Sequence, residues 1–227
     1  MDNTLYSIKN DVKQIHNDIV ALYDQCRTIS HRSMMGYVGF LCVWIVAFTI
    51  DPEIRSFIKD VHTTFYDQLF SLFHWYGKAN LSIALILILY VGGLFLGKSR
   101  MRATGRMLFE SFAFSGIVVT ILKSIFGRWR PFAEYGSYSF RFFTFGPNEH
   151  LSLPSGDVAI AFAFSTIIAG AIDNKLWKWM WYLFAVITSI GRIYHDQHWL
   201  SDVLLASVIA LWIGNCINTT LQRANQK

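Results

Sequence analysis

Six long apolar stretches constrain what this chain can fold into. They lie at about residues 33–50, 81–97, 107–126, 157–173, 176–191 and 200–217. Crossing a bilayer core of about 30 Å takes roughly 20 helical residues. The composition agrees, because 53% of the 227 residues are hydrophobic and only 15% are charged, which is unusual for a soluble domain. The sequence therefore predicts an all-α protein, a six-transmembrane helical bundle.

The basic residues predict how this bundle is oriented, because Lys and Arg are retained on the cytoplasmic side. With the N-terminus inside, twelve of the 20 basic residues lie in inner segments and seven in outer ones. The inner ones are Lys9, Lys13, Arg27, Arg32, Lys98, Arg100, Arg102, Arg106, Lys175, Lys178, Arg223 and Lys227. We therefore expect both termini in the cytoplasm. This topology also accounts for the net charge of +5, so no nucleic acid partner is predicted.

Two flanking segments are predicted to be amphipathic helices. In residues 1–32, which lack a signal-peptide pattern, apolar residues recur in steps of three and four from Leu5 to Ile29. Such a seam is typical of a coiled coil, which would make a homodimer through residues 5–29, but also of a helix lying on the inner leaflet, the interpretation we favour. Residues 51–80 predict an outer interfacial helix. The domains are then 1–32, the membrane domain 33–217 and a cytoplasmic tail 218–227.

Polar residues collect at the turns that this topology places outside. Lys123 and Arg130 are seven apart, two helical turns, so on one helix they would face the same side until Pro131 ends it. Pro154-Ser155-Gly156-Asp157 stands where the fourth span begins. Ser155 can cap that helix and Gly156 lets a ligand approach its free N–H groups, which favours anion binding.

A third polar group surrounds the start of the last span. Arg192 precedes it, and His198 and Asp202 are spaced i, i+4, so their side chains can meet. Asp202 would accept from one ring nitrogen and leave the other free to attack phosphorus. The three cysteines, Cys26, Cys42 and Cys216, have neither disulfide nor metal-ligand spacing, so no metal and no cofactor are predicted.

In this order, Lys-x6-Arg-Pro, Pro-Ser-Gly and Arg-x5-His-x3-Asp resemble the type-2 phosphatidic acid phosphatase superfamily, whose fold is shared with vanadium haloperoxidases and bacterial acid phosphatases. The motifs cover about residues 107–217. The resemblance implies that His198 is the nucleophile and that Asp202 orients it. It assigns phosphate binding to a further five residues: Lys123, Arg130, Ser155, Gly156 and Arg192. The implied reaction is metal-free hydrolysis through a phosphohistidine.

Two positions depart from the family pattern. Gly191 stands where a serine usually precedes the arginine, and Asp157 replaces the histidine that protonates the leaving group. An aspartate at a helix N-terminus among cations should be ionised and a poor general acid. Four explanations remain open: an acidic leaving group, another donor such as His150 or His195, an engineered substitution, or a native subgroup, since some lipid A phosphatases read Gly-Asp here.

The sequence thus favours a lipid phosphatase in a bacterial inner membrane, with its site facing the periplasm. Candidate substrates are undecaprenyl diphosphate, phosphatidylglycerol phosphate, phosphatidic acid and the phosphates of lipid A. Two alternatives remain. One is a lipid phosphotransferase of the same fold, and the other is a catalytically weakened protein that binds lipid phosphate.

Overall fold

The computed structural model describes residues 2–27 and 31–225, and within these ranges the fold is entirely helical, apart from one isolated β-bridge between Arg128 and Phe140. The α-helices are α1 (Asp2–Arg27), α2 (His31–Thr49), α3 (Asp51–Lys59), α4 (Thr64–His74), α5 (Ala79–Phe95), α6 (Ser99–Phe126), α7 (Gly156–Ala171), α8 (Lys175–Tyr194) and α9 (Leu200–Asn225). Short 3₁₀ turns lie at Trp75–Gly77, Pro131–Ala133 and Asn148–His150. The prediction of an all-α protein is confirmed.

The predicted number of six membrane spans is not confirmed. All six apolar stretches are helical, but only Ser99–Phe126 and Leu200–Thr220 are long and apolar enough in the described chain to span by themselves. Counting two bent pairs as broken spans, Met34–Thr49 with Asp51–Lys59 and Thr64–Gly77 with Ala79–Phe95, gives up to four. α7 falls short because its 16 residues extend only about 24 Å.

The prediction of a single interfacial helix over residues 51–80 is wrong. The chain turns after α3 and starts α4 at Thr64, because Thr63 is extended and its hydroxyl accepts from Tyr66 N at 3.3 Å. A side-chain acceptor at this position satisfies an N–H of a new helix start. The result is two short helices, and α4 packs against α8 instead of continuing α3.

α7 is the centre of the bundle and packs against α6, α8 and α9. Its buried face includes Ala159, Ala161 and Ala163, each at most 1% exposed. Small residues let helices approach closely in a membrane protein. This packing brings the first turn of α7 beside the end of α8 and the start of α9, where the motif residues lie.

α1 packs on its own chain, against α9 and α6. Asp18 Oδ2 accepts from Arg106 Nη1 at 2.7 Å, and Asp11 Oδ2 lies 3.1 Å from Arg102 Nε. The apolar seam is partly turned away from these contacts, since Val12 is 61% exposed. The side chains of Leu5, Cys26 and Ile29 lie outside those that the structure describes. A homodimer through residues 5–29 stays a prediction.

Candidate active site

The first two cations lie at the end of α6 and in the loop after it. Lys123 is in the last turn of α6, and its ammonium donates to the carbonyl of Leu151. Gly127, with φ +55°, ends the helix in the left-handed conformation that glycine adopts without strain. Arg130 therefore stands in a loop, so the expectation that one helical face aligns it with Lys123 is wrong.

A polar cleft of about 730 Å³ opens at this end of the bundle. It is lined by Ser71, His74, Trp75, Lys78, Arg130, Asn148, Asp157, Arg192, His195 and Gln197. Four sequence candidates, Arg130, Asp157, Arg192 and His195, are thus brought to one cavity. The other candidates lie outside this lining, and His198 is only 2% exposed.

Two neutral side chains position the guanidinium groups of the cleft. Arg130 Nη1 donates to Gln197 Oε1 at 3.0 Å, and Arg130 Nη2 donates to Asn148 Oδ1 at 2.7 Å. Arg192 Nη2 reaches the same Gln197 oxygen at 3.5 Å. Burial, and then the charge of Arg192, lowers the pKa of Arg130. Two cations held this close repel each other, and an anion between them would relieve the repulsion.

The start of α7 leaves a hydroxyl available. Ser155 is the N-cap residue but, against expectation, makes no side-chain capping bond, and its buried Oγ has no hydrogen-bond partner among the described residues. Its backbone N donates to the carbonyl of Asp202 at 3.2 Å, which ties α7 to α9. A Cβ on Gly156 would lie 3.9 Å from Lys123 Cε, so the Lys123 side chain approaches the start of α7.

His198 is held by a backbone carbonyl. Its Nδ1 lies 2.9 Å from the carbonyl oxygen of Ser152, and because a carbonyl only accepts, Nδ1 carries the proton and Nε2 the lone pair. Burial lowers the pKa of His198 to about 3, although Asp202 opposes the shift. The imidazole is therefore neutral at pH 7, the form in which its nitrogen can attack.

The prediction that His198 donates a hydrogen bond to Asp202 is wrong, because His198 Nδ1 and Asp202 Oδ2 are 3.8 Å apart, beyond hydrogen-bond distance. Asp202 Oδ2 accepts instead from Ser152 Oγ at 2.5 Å and from Trp199 N at 2.9 Å. The Asp202 carboxylate thus holds Ser152, and the backbone carbonyl of Ser152 in turn holds the His198 ring. A spacing of four does not produce the direct bond because His198 precedes α9 and lacks its helical geometry.

Arg128 is a supporting residue that the sequence analysis missed. Fully buried, it donates to Asp202 Oδ1 and to Asp51 Oδ2, both at 2.7 Å, and to the carbonyl of Ser137 at 2.9 Å. Buried charges require such pairing. Asp51 directly follows the apolar stretch 33–50, but nothing in the sequence pairs it with Arg128.

His74 is the second missed residue. Its Nδ1 lies 2.9 Å from Arg192 Nη1 and 3.5 Å from Asp157 Oδ2. Arg192 Nε is in turn 3.2 Å from the same Asp157 oxygen, an ion pair without a directed hydrogen bond. His74 follows an apolar stripe and belongs to no motif, so nothing in its sequence context predicts this placement.

The two alternative proton donors predicted from the sequence, His150 and His195, lie in different environments. His195 lines the cleft, and burial followed by the charge of Arg192 lowers its pKa. His150 is 3% exposed and packs edge-on against Trp129, with ring centroids 3.7 Å apart. Of these two, His195 is therefore the one positioned to meet a ligand in the cleft. The described part of the chain contains no cluster of three or more His, Cys, Asp or Glu side chains that could hold a metal ion.

Curated proteins similar to the chain include lipid A 1-phosphatases. The Porphyromonas gingivalis protein is 30% identical over 122 residues, which is 52% of this chain and 24% of that protein. The Rhizobium johnstonii protein is 31% identical over 112 residues, 48% of this chain and 45% of that protein. The chain thus matches less than half the length of each of these relatives.

Solved structures share the fold. LpxE of Aquifex aeolicus superposes with a TM-score of 0.59 at 21% identity, covering 76% of this chain and 95% of that one. The PAP2 type phosphatidylglycerolphosphate phosphatase of Bacillus subtilis superposes with a TM-score of 0.63 at 19% identity, covering 82% of this chain and 96% of that one. Residues 104–226, more than half of the chain and including every motif described above, match the model of the PAP2 superfamily, and the chain is a membrane protein that belongs to this superfamily.

Proposed function

We propose that the protein is a lipid phosphatase that removes phosphate from a lipid phosphate or diphosphate. The observation that carries this proposal is the neutral, buried His198, whose Nδ1 is bound to the Ser152 carbonyl so that Nε2 is free. Arg130 and Arg192 line the cleft, and Lys123 lies beside the start of α7, where the Ser155 hydroxyl has no hydrogen-bond partner among the described residues. A free imidazole nitrogen beside convergent cations suits attack on a phosphoryl group.

In the proposed mechanism Nε2 of His198 forms a bond to phosphorus as the bond to the leaving oxygen breaks. The electron pair of the broken bond stays with that oxygen, which takes a proton. Water then attacks the phosphohistidine, and the nitrogen recovers its electron pair. Arg130, Arg192 and Lys123, with the N–H groups at the start of α7, stabilise the charge on the equatorial oxygens. The Asp202 carboxylate accepts a hydrogen bond from Ser152 Oγ, and the Ser152 carbonyl positions the His198 ring.

The substrate class follows from charge and membrane placement together. Lipid A 1-phosphatases and a phosphatidylglycerolphosphate phosphatase are among the related proteins, so candidate substrates are lipid A phosphates, phosphatidylglycerol phosphate, phosphatidic acid and undecaprenyl diphosphate. We further propose six spans in a bacterial inner membrane, with both termini in the cytoplasm and the cleft facing the periplasm. No cofactor is part of the proposal.

The test is phosphate release by the purified protein from a panel of these lipids. We expect turnover of at least one lipid, loss of turnover in His198→Ala, and no effect of EDTA, since the site has cationic rather than metal-binding side chains. Phosphoryl transfer to an added lipid alcohol would indicate the phosphotransferase. Lipid binding without turnover by the wild type would indicate a binding protein, and activity retained in His198→Ala would contradict the mechanism.

A further inference from the structure

The proposed reaction leaves one step without an assigned residue, the proton that the leaving oxygen must take. Asp157 stands in the first turn of α7, 25% exposed by side chain, with Arg192 Nε 3.2 Å from its Oδ2. The carboxylate is therefore the anionic partner of an ion pair. A carboxylate in an ion pair has no proton to donate.

His74 is a titratable side chain that contacts both Asp157 and Arg192. Its Nδ1 lies 2.9 Å from Arg192 Nη1 and 3.5 Å from Asp157 Oδ2, and the side chain lines the cleft with them. It is contributed by α4, outside the matched region 104–226. Because Nδ1 faces these two groups, Nε2 is the nitrogen left to meet a ligand.

Close packing holds α4 at this position. A Cβ on Gly191 of α8 would lie 3.0 Å from Phe70 Cβ, and a Cβ on Gly77 would lie 2.7 Å from the carbonyl oxygen of Asp157. Both contacts are nearer than side chains ordinarily allow, so the two glycines permit α4 and its following turn to approach. The approach places His74, which lies between Phe70 and Gly77 in sequence, against the first turn of α7.

We propose that His74 is the catalytic acid and base of the site and that Asp157 is its positioning partner, an inference that rests on the proposed function. A guanidinium only donates, so in the structure Nδ1 accepts from Arg192 and the proton of the ring is on Nε2. When Arg192 turns to a phosphate oxygen, Nδ1 faces the Asp157 carboxylate, which stabilises a second ring proton that the imidazole takes from solvent. The resulting imidazolium then has an Nε2 proton to give.

The step balances as follows. The lone pair of His198 Nε2 forms the nitrogen–phosphorus bond, the pair of the breaking phosphorus–oxygen bond goes to the leaving oxygen, and that oxygen takes the proton from His74. The neutral His74 then accepts a proton from the attacking water as the nitrogen–phosphorus pair returns to His198. One histidine thus acts as acid and then as base, and Asp157 transfers no proton.

The experiment compares two leaving groups on the same lipid chain, a long-chain alkyl phosphate and the corresponding alkyl-substituted nitrophenyl phosphate, whose phenol is far more acidic. General acid catalysis contributes roughly 10² to 10⁴ in rate. We expect His74→Gln and Asp157→Asn each to lower kcat for the alkyl phosphate by about 10²-fold or more, to lower kcat for the nitrophenyl phosphate far less, and to leave KM nearly unchanged. His16→Gln, on the exposed face of α1, is the matched control and should change neither.

Three results would overturn the inference. Equal losses for both substrates would show that His74 does not protonate the leaving group. Selective loss in Asp157→Asn but not in His74→Gln would assign the proton to the carboxylate itself, and selective loss in His195→Gln alone would assign it to that residue. A wild type that releases phosphate from neither substrate contradicts the proposed function, and this inference fails with it.

Discussion

Arg128 shows how a single buried cation organises the site without contacting the cleft. Its guanidinium binds Asp51 and Asp202, both fully buried, and its Cζ lies 4.7 Å from the centroid of the Phe48 ring. One side chain therefore joins α3, the loop after α6 and the start of α9. It compensates two carboxylates whose burial alone would be costly.

Removing this cation should destabilise the fold. Because Arg128→Leu leaves two buried carboxylates without the cation that compensates their charge, we expect a loss on the order of 3–5 kcal/mol in the free energy of unfolding, measured as a lower midpoint of thermal unfolding in detergent. Arg141→Leu, an exposed arginine of the same loop, is the matched control and should change the midpoint little. Equal midpoints for the two variants would contradict the role assigned to Arg128.

His198 should make the folded state sensitive to acid. Its pKa is lowered to about 3 in the fold, against about 6.5 in an unfolded chain. Between these values the unfolded state binds a proton that the folded state does not, so stability falls as the pH drops from about 6.5 towards 3. The unfolding midpoint of the wild type should therefore fall more between pH 7.5 and pH 5 than that of His198→Gln. A fall of the same size in both would show that His198 is not the source.

Much of the candidate site could be predicted from sequence because its motifs are local. Arg130, Arg192 and Asp157 line one cleft, and Ser155 and His198 lie at the helix ends that the patterns indicated. The hydrogen-bond partners could not be predicted. The carbonyl of Ser152 rather than Asp202 binds His198, because the choice depends on where His198 stands relative to the first turn of α9. His74 is 83 residues before Asp157 in sequence, and only tertiary packing joins them.

At the scale of elements, the spacing between α4 and the start of α7 depends on the absence of a side chain at Gly77. The helices themselves could be predicted, the six spans from long apolar stretches and the flanking segments 1–32 and 51–80 from apolar periodicity. The break between α3 and α4 could not, since the same stripe continues through both and one cap at Thr63 separates them. The packing of α4 against α8 is a consequence of that break.

Adding one methyl group should test this spacing. In Gly77→Ala the new Cβ would meet the Asp157 carbonyl oxygen at 2.7 Å and its Cβ at 3.0 Å. The obstacle is largely backbone, so α4 must move away. A displacement of about 1 Å in a catalytic arrangement can cost roughly 10²-fold in rate, and we expect a decrease of this order in kcat. Gly36→Ala, where a Cβ would meet nothing within 4 Å, should keep full activity. Unchanged turnover in Gly77→Ala would show that the close approach is not required.

At the scale of the whole molecule, α6 separates two chemically different ends. Arg102 and Arg106 near its start bind Asp11 and Asp18 of α1, whereas Lys123 in its last turn belongs to the site. Lys123 lies 21 positions after Arg102, which along a helix is about 32 Å at 1.5 Å per residue, close to the thickness of a bilayer core. The two ends of the bundle should therefore face opposite sides of the membrane.

The positive-inside rule then assigns the sides, and labelling of intact cells tests the assignment. In a background whose native cysteines are replaced by serine, Phe145→Cys introduces a thiol at a position that is 91% exposed in the loop before α7, and Ser99→Cys introduces one at an exposed position at the start of α6. Because basic residues concentrate around residues 98–106 and are retained in the cytoplasm, an impermeant maleimide should label Phe145→Cys in intact cells. It should label Ser99→Cys only after the membrane is permeabilised, a step that also confirms that both thiols are reactive. Labelling of Ser99→Cys alone in intact cells would reverse the orientation and place the cleft on the cytoplasmic side.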